Sequence, residues 1–378
     1  MAFNFIHTAD WQIGKPFGRF AGDVAARLRA VRIDCIDRLA EAARASGAAH
    51  VLVAGDVFDG EALDDAVLRL PLVRMAVYPD IVWHLLPGNH DPVRPGGVWG
   101  RLARLGCPAN VRLHLAAVPT EIAAGVVLLP APLAAKEMRT DPTQWMDTAA
   151  TAEGQIRIGL AHGSVQGFGS LGEAAVPIEP SRRRTAGLDY LALGDWHGLK
   201  EIGAGVWYSG TPEPDSFADN GAGQALVVSI AAAGVAPLVA PVATAHFRWL
   251  GRRLVMSRLA DLERIEDEIA RLGVAQGRHL MALGLEGVVA AGEARALDER
   301  LAQLAAKLVA LDVDHRRLQT VAGDDDVASL GDEVLEAVAG RIVAKAGQSA
   351  TADERAAARA LRLLLAYSAD ASAEAGAT

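Results

Sequence analysis

The stretch FNFIHTADWQ, residues 3–12, decides the fold of the first part of the chain. A mostly apolar run over 3–9 ends at Asp10, the pattern of a buried strand that delivers a carboxylate to its carboxyl end. Open α/β sheets place their chemistry at that end of the strands. Asp10 is therefore the first candidate site residue, and Gln12 follows it in the same turn.

Strand-like and helix-like segments alternate after this stretch. Apolar runs at 50–55 and 81–86 predict strands, and amphipathic segments at 23–45 and 62–78 predict helices. This alternation is typical of parallel βαβ units. Three basic residues of the first helix are interleaved with apolar ones, which predicts a solvent-facing side: Arg27, Arg29 and Arg32.

Beyond residue 110 the pattern changes to shorter β-type runs, the last of them HFRWL at 246–250. Helical composition then dominates at 259–272, 291–309, 327–346 and 352–367, broken by one strand-like run at 278–287. We predict a main α/β domain over 1–250, a smaller mixed α/β domain over 251–368, and a disordered tail over 369–378.

Composition excludes several classes of protein. The chain has 378 residues, of which 51% are hydrophobic and 22% charged, which supports sizeable packed cores. Its formal net charge of −9 repels phosphate backbones, so a nucleic-acid role needs a local basic face or metal ions. Cys35 and Cys107 show no paired spacing, which argues against a disulfide framework and a thiolate zinc site.

The sequence has no basic segment followed by an apolar signal region and no long uncharged apolar run. We therefore expect no membrane partner and a cytoplasmic location.

Five short stretches share one property: each follows a strand-like run and places Asp, Asn or His in a turn, in four of them beside glycine. They are Asp10-Trp11-Gln12, Gly55-Asp56, Gly88-Asn89-His90-Asp91, His162-Gly163 and Gly194-Asp195-Trp196-His197. Such side chains at adjacent strand ends can hold two divalent cations that clamp a phosphate and activate water. The pattern predicts phosphoester hydrolysis; ordinary turn formation is the alternative.

The order of these motifs resembles the calcineurin-like metallophosphoesterase superfamily. The stretches HTADWQIGKPF, GDVFDG, PGNHDP, YLALGDWHG and YSGTPEPDSF are most similar to SbcD-type DNA repair exonucleases, the nuclease subunits that work with coiled-coil SbcC-type ATPases. The resemblance implies an α/β fold, a four-layer α/β/β/α metallophosphoesterase sandwich with a smaller C-terminal mixed α/β capping domain.

The resemblance also implies roles for individual residues. A first metal would be bound by Asp10, Gln12, Asp56 and His197, and a second by Asp56, Asn89, His162 and Asp195. Asp56 would bridge the two ions. His90 would protonate or stabilise the leaving oxygen, with Asp91 orienting its ring.

Two positions depart from the resembled pattern, because SbcD-type sites usually carry histidine where this chain has Gln12 and Asp195. Oxygen ligands favour Mn²⁺, with Mg²⁺ or Fe²⁺ as alternatives, over zinc. We expect two divalent ions, Mn²⁺ dependence and weak occupancy of the first position. The alternative for Gln12 is a hydrogen bond to a bound water or an orientation away from the metal.

Three functions remain open from the sequence. The first is a DNA exonuclease or endonuclease subunit that acts in repair with an SbcC-like ATPase. The second is a small-molecule phosphodiesterase, for example one for cyclic nucleotides, and the third is a catalytically weakened structural subunit. The domain after residue 250 favours the nuclease, since a polymer-reading enzyme needs a cap.

Partners follow from the resemblance as well. DNA is the expected substrate, and a homodimer would pair through helix 23–45 or 62–78. The apolar helix 354–367 is a candidate for docking the ATPase. The basic run Arg182-Arg183-Arg184 predicts a solvated loop or, if it lies near the site, a contact to a nucleic-acid backbone.

Overall fold

The computed structural model describes residues 2–167, 175–321 and 333–346, together with isolated positions between 353 and 364. The chain divides into two compact units, Met1–Phe247 and Arg248–Thr378. The predicted tail over 369–378 lies outside the described residues, as does most of the predicted helix over 352–367.

Among the described residues of the first unit, strands outnumber helices. They are β1 Phe3–Thr8, β2 His50–Val53, β3 Val82–Leu85, β4 Val111–Leu113, β5 Thr120–Ala123, β6 Val126–Ala131, β7 Ile156–His162, β8 Ser164–Val165, β9 Pro177–Ile178, β10 Tyr190–Gly194, β11 Lys200–Gly203, β12 Val206–Tyr208, β13 Gln224–Ile230 and β14 Leu238–Ala243. The helices are α1 Gly22–Ala45, α2 Asp65–Ala76, α3 Val98–Leu105 and α4 Arg182–Thr185, with a 3-10 helix at Gln144–Thr148.

Twelve of these strands form two six-stranded sheets, in the orders β14-β13-β1-β2-β3-β4 and β11-β12-β10-β7-β6-β5. In the first sheet β1 to β4 are parallel, with Phe5 opposite His50 and His50 opposite Val82. In the second sheet β6, β7, β10 and β12 are parallel. The carboxyl ends of β1, β2 and β3 therefore share one edge, as do those of β7 and β10.

Apolar side chains place the two sheets face to face. Between them pack residues such as Leu52 and Ala54 from the first sheet and Ile158 and Leu160 from the second. The helices α1 to α3 cover the outer face of the first sheet with a core that includes Ile36, Leu39, Leu68, Leu72, Val51 and Trp83. Short helical segments cover the second sheet through Met146 and Ala186. The predicted sandwich is confirmed, and its fourth layer is thin.

A row of three histidines crosses the first sheet. His50 Nδ1 lies 3.0 Å from His84 Nε2, and His84 Nδ1 lies 3.0 Å from His114 Nε2. Burial lowers the pKa of His114 to about 4, and burial together with the neighbouring imidazoles lowers the pKa of His84 well below its usual value. The middle ring, His84, uses both nitrogens in this row and donates one hydrogen bond while it accepts the other, so protonation of His84 breaks the row.

Acid should destabilise the fold through this row. His84 and His114 are neutral in the folded chain but bind protons once unfolded, so the free energy of unfolding falls as pH drops from about 6.5 to about 4. Each such histidine contributes a slope of up to about 1.4 kcal/mol per pH unit. Urea unfolding at several pH values should therefore give a shallower pH dependence for His84→Gln than for the unmodified chain. Parallel curves for the two proteins would contradict this.

The second unit contains a three-stranded parallel sheet in the order β15-β16-β17. Its strands are β15 Arg248–Met256, β16 His279–Ala290 and β17 Ala310–Val321, and its helices are α5 Glu263–Arg271, α6 Ala294–Ala305 and α7 Glu333–Ala346. Three 3-10 segments lie at Leu259–Leu262, Gly273–Arg278 and Ala291–Glu293. The mixed α/β character is as predicted, but β17 was not expected from the sequence.

The reason for the missed strand lies in its composition. In β17 the apolar residues Leu311 and Val313 pack against the core of the unit and alternate with Asp312 and Asp314. The strand lies at the sheet edge, so its charged side chains remain partly or fully exposed. The mean hydropathy of this segment is low, so the alternation of apolar and charged residues in β17 was not recognised as a strand.

The basic run at Arg182 is not uniformly solvated. Arg182 is buried, donates to Thr143 Oγ1 at 2.9 Å and forms ion pairs with Asp141 and Asp147. Its charge is compensated within the fold, so we withdraw it as a contact for a nucleic-acid backbone.

Within the described residues, none of the helices combines the length and the apolar character needed to cross a membrane.

Candidate metal centre

Side chains from both sheets meet at the carboxyl ends of the strands. Asp10 follows β1, Asp56 follows β2, and His162 ends β7; all three are buried. Their ligand atoms lie within 4.8 Å of one another, and no such group among the described residues includes Asp195 or His197. Two carboxylates and one imidazole at this spacing can hold a metal ion.

The backbone of the centre is strained where the predicted ligands lie. Among the described residues, five that are not glycine have a positive φ, and four of them are predicted ligands: Asp10 at 55°, Gln12 at 45°, Asp56 at 52° and Asp195 at 104°. Side-chain-bearing residues rarely adopt this conformation, and its concentration is typical of functional sites. Backbone hydrogen bonds hold it, such as Asp10 N to Gly55 O at 3.1 Å and Gln12 N to Asp56 O at 2.9 Å.

His162 presents a bare nitrogen to the centre. Its Nδ1 donates to the carbonyl oxygen of Ala54 at 2.9 Å, which fixes the proton on that nitrogen. Its Nε2 lies 3.5 Å from Asp56 Oδ1 and 3.9 Å from Asp195 Oδ1, and it is buried without a hydrogen-bond partner. With Nδ1 fixed as the donor, Nε2 is the nitrogen of His162 that can bind a metal ion.

Asn89 is oriented in the same way. Its Nδ2 donates to Asp195 Oδ1 at 3.5 Å, while its Oδ1 is buried without a hydrogen-bond partner. Asp195 in turn accepts from Ser164 Oγ at 2.5 Å. Since buried polar atoms rarely lack partners, the unpartnered Asn89 Oδ1 and His162 Nε2 fit ligands of a divalent cation. The residues of the predicted second position therefore suit a metal.

Electrostatics in the centre favour a cation. Burial raises the pKa of Asp10, and His197 and His162 oppose this shift. Burial disfavours protonation of His162, but the carboxylates of Asp56, Asp10 and Asp195 outweigh it and raise the pKa of this histidine. The shift of Asp10 is mainly an effect of burial, and the shift of His162 reflects the negative charge of the three carboxylates around it.

Gln12 lies at the predicted first position, but its oxygen is turned away from the other ligands. Gln12 Oε1 accepts from Lys15 Nζ at 2.7 Å. Its Nε2 donates to Asp56 Oδ2 at 3.3 Å and lies 3.3 Å from His197 Nε2. An amide NH₂ group cannot coordinate a metal. As found, the residues of the first position do not fit a metal ion.

Asp215 is a site residue that the sequence reasoning missed. Its Oδ2 lies 3.0 Å from His197 Nδ1 and 2.9 Å from Lys15 Nζ. Burial disfavours the charged carboxylate, but His197, Arg32 and Lys15 hold its pKa far below the usual value. The same hydrogen bond raises the pKa of His197 against the effect of burial. Its signal was the segment YSGTPEPDSF, which contributed only to the resemblance.

Arg32 was predicted on the solvent-facing side of α1, and this was wrong. It is 1% exposed, donates to Trp11 O at 2.6 Å and lies 3.5 Å from Asp215 Oδ2. It thereby ties the Asp10–Gln12 turn to the segment that carries Asp215. Carbonyl groups and a carboxylate pair with its two terminal NH₂ groups, while its Nε is buried without a hydrogen-bond partner.

His90 lies at the solvent-facing edge of the centre, with its side chain 38% exposed. Its Nδ1 donates to Asp59 O at 3.0 Å, and its Nε2 lies 3.9 Å from Asp56 Oδ2. Asp91, expected to orient this ring, instead accepts from the backbone N–H groups of Gly88 at 2.6 Å and Phe58 at 3.0 Å. Asp91 therefore satisfies two buried backbone donors and stabilises the loop around Gly88. The ring of His90 is oriented by the carbonyl oxygen of Asp59 instead.

Gly88 lets the loop approach Asp56. A Cβ atom added at Gly88 would lie 2.2 Å from Asp56 Oδ1 and 2.4 Å from the Asp56 backbone nitrogen. Gly88→Ala should therefore displace Asp56 and weaken metal binding. Mn²⁺ at a hundred times its Kd should raise the free energy of unfolding of the unmodified chain by about 2.7 kcal/mol, and Gly88→Ala should lose most of that gain.

Thermal unfolding with and without Mn²⁺ measures this difference. Gly100→Ala is the matched control, because a Cβ atom at Gly100 meets nothing within 4 Å. A full Mn²⁺ effect in Gly88→Ala would show that Asp56 does not hold the ion.

Comparison with known proteins agrees with this geometry. A family model of calcineurin-like phosphoesterases matches residues 3–197, just over half of the 378 residues. The matched range begins at β1 and ends at His197, so it contains all the predicted ligands. A search of curated proteins gives no match.

Proposed function

Because the chain belongs to the calcineurin-like phosphoesterase family, we propose that it is a metal-dependent phosphodiesterase that cleaves DNA. One observation carries the catalytic part of the proposal: His162 Nε2, which lies 3.5 Å from Asp56 Oδ1, and Asn89 Oδ1 are both buried without a hydrogen-bond partner. A divalent cation held by Asp56, Asn89, His162 and Asp195 would polarise a phosphoryl group and activate water.

His90 is the group of the centre that would exchange a proton with the substrate. The proton of His90 Nδ1 is held by Asp59 O, which leaves Nε2 as the nitrogen that exchanges protons with a reacting group. His90 is half-exposed and so can reach the leaving oxygen of a phosphodiester and donate a proton to it. This is the role that the resemblance implies for it.

The choice of DNA as substrate is supported by the motifs that resemble SbcD-type exonucleases and by the presence of a second compact unit beyond the matched range. The net charge of −9 makes general electrostatic attraction to DNA weak. The donor set of oxygens and one imidazole supports Mn²⁺ as the metal.

We propose two protein partners on the same resemblance, an SbcC-like coiled-coil ATPase and a second copy of the chain. The homodimer is supported by α2 and the residue after it, where Leu70, Val73 and Val77 are exposed in a row. A cytoplasmic location is supported by Cys35 and Cys107, which are both free thiols.

A catalytically weakened structural subunit is the second candidate. It is favoured by one observation, the orientation of Gln12, which removes a ligand from the predicted first metal position.

Cleavage assays separate these functions. The purified chain is incubated with labelled single- and double-stranded linear DNA and with cyclic nucleotides, each in Mn²⁺, Mg²⁺ and Zn²⁺. We expect DNA cleavage that is strongest in Mn²⁺. Turnover of cyclic nucleotides alone would overturn the nuclease in favour of a small-molecule phosphodiesterase, and no turnover with any metal would favour the structural subunit.

A further inference from the structure

The amide of Gln12 has only one satisfactory orientation. Its Oε1 accepts from the Lys15 ammonium at 2.7 Å, and its Nε2 donates to Asp56 Oδ2 at 3.3 Å. Exchanging the two atoms would set an NH₂ group against the ammonium and an oxygen against a carboxylate oxygen. Both contacts would then be repulsive, so Lys15 and Asp56 together fix the amide with its nitrogen towards the centre.

This nitrogen engages the two atoms that a first metal would need. It donates to Asp56 Oδ2 and faces His197 Nε2 at 3.3 Å. In the neutral ring of His197 the proton lies on Nδ1, 3.0 Å from Asp215 Oδ2, and Nε2 accepts from Gln12. The Gln12 side chain therefore fills, with its NH₂ group, the place between Asp56 and His197.

Lys15 supplies the positive charge at this place. Besides Gln12 Oε1, its Nζ lies 2.9 Å from Asp215 Oδ2 and 3.8 Å from Asp59 Oδ1. An ammonium is a compact point charge with three donors, and here it has an amide oxygen and two carboxylates around it. Arg32 lies 3.5 Å from the same carboxylate of Asp215 and holds it in place.

From these contacts we infer that the Lys15 ammonium, through Gln12, replaces the first metal ion, and that the chain binds one divalent cation, at Asp56, Asn89, His162 and Asp195. A second dication would have to displace the Gln12 amide from Asp56 and His197 and to sit near a fixed positive charge. The inference rests on the proposed function, because it assigns the parts of the same centre.

Metal counting on the full chain tests the inference without any substrate. The purified protein is dialysed against increasing Mn²⁺, the ions per chain are counted by elemental analysis, and electron paramagnetic resonance distinguishes an isolated Mn²⁺ from a spin-coupled pair. We expect a plateau at one ion per chain and an uncoupled spectrum. Two ions with a coupled spectrum in the unmodified chain would overturn the inference.

A double variant should restore the second ion. Gln12→His supplies an imidazole, and Lys15→Met removes the charge at a similar side-chain length. We expect two ions per chain and a coupled spectrum. The matched control combines Gln12→His with Lys200→Met, since Lys200 is exposed on β11, and it should remain at one ion. A folded double variant that still binds one ion would contradict the role of Lys15.

The count also separates this inference from the proposed function. One ion per chain without DNA cleavage would overturn the nuclease and leave the replacement by Lys15 intact. Two ions per chain together with DNA cleavage would overturn the replacement and leave the nuclease intact.

Discussion

Asp56→Asn is expected to reduce kcat for phosphodiester hydrolysis by at least about a thousandfold. Asp56 lies 3.5 Å from His162 Nε2 and accepts from Gln12 Nε2 and from the backbone N–H of His90. The substitution removes a negative charge from the middle of the cation site and leaves the size of the side chain unchanged. Hydrolysis of linear DNA and of bis(p-nitrophenyl) phosphate in Mn²⁺ measures the loss.

Asp219→Asn is the control for this change, because Asp219 is an exposed aspartate in the segment after Asp215. It removes the same charge from the chain and should leave kcat close to that of the unmodified protein. Circular dichroism should show that both variants are folded. If folded Asp56→Asn retained activity, the chemistry would have to take place elsewhere in the molecule.

His90→Gln is expected to reduce kcat on DNA by about 10²- to 10⁴-fold, the range typical of a lost general acid. The leaving group of DNA is an alkoxide that needs a proton. Glutamine keeps a donor for Asp59 O but cannot transfer a proton as an imidazole does. We therefore expect a much smaller loss on bis(p-nitrophenyl) phosphate, since p-nitrophenolate leaves without protonation.

The comparison of the two substrates in one variant is its own control, because a misfolded or metal-depleted protein would lose both activities equally. Equal losses on DNA and on the p-nitrophenyl ester would assign His90 to binding or to structure instead of proton transfer.

The position of the site could be predicted because it follows from local sequence. Asp10, Asp56 and His162 each end or follow an apolar strand, and the parallel order of the strands brings such residues to one edge. The arrangement around Gln12 could not be predicted. It depends on Asp215, which is distant in sequence, and on an amide orientation that only Lys15 and Asp56 together determine.

The wrong prediction for Arg32 has a different cause, because its place on the buried face of α1 was visible in the sequence. Leu28, Arg32, Cys35 and Leu39 follow the spacing of one helix face, and all four are buried. The prediction gave more weight to the charge of Arg32 than to its position in the helical spacing of the buried face. In the second unit β17 was missed for a related reason, since charges at alternate positions of an edge strand resemble a polar segment.

Direct hydrogen bonds join the two sheets at the end that carries the site. His162 of the second sheet donates to Ala54 O beyond β2 at 2.9 Å, and the Asp195 backbone donates to Asp10 Oδ1 at 3.1 Å. An ion bound to Asp56 and His162 would span the same gap. By reciprocal linkage, if the bound ion opposes separation of the sheets, separation of the sheets lowers the binding free energy of the ion by the same amount. The separation of the two sheets and the affinity for the cation are therefore thermodynamically coupled.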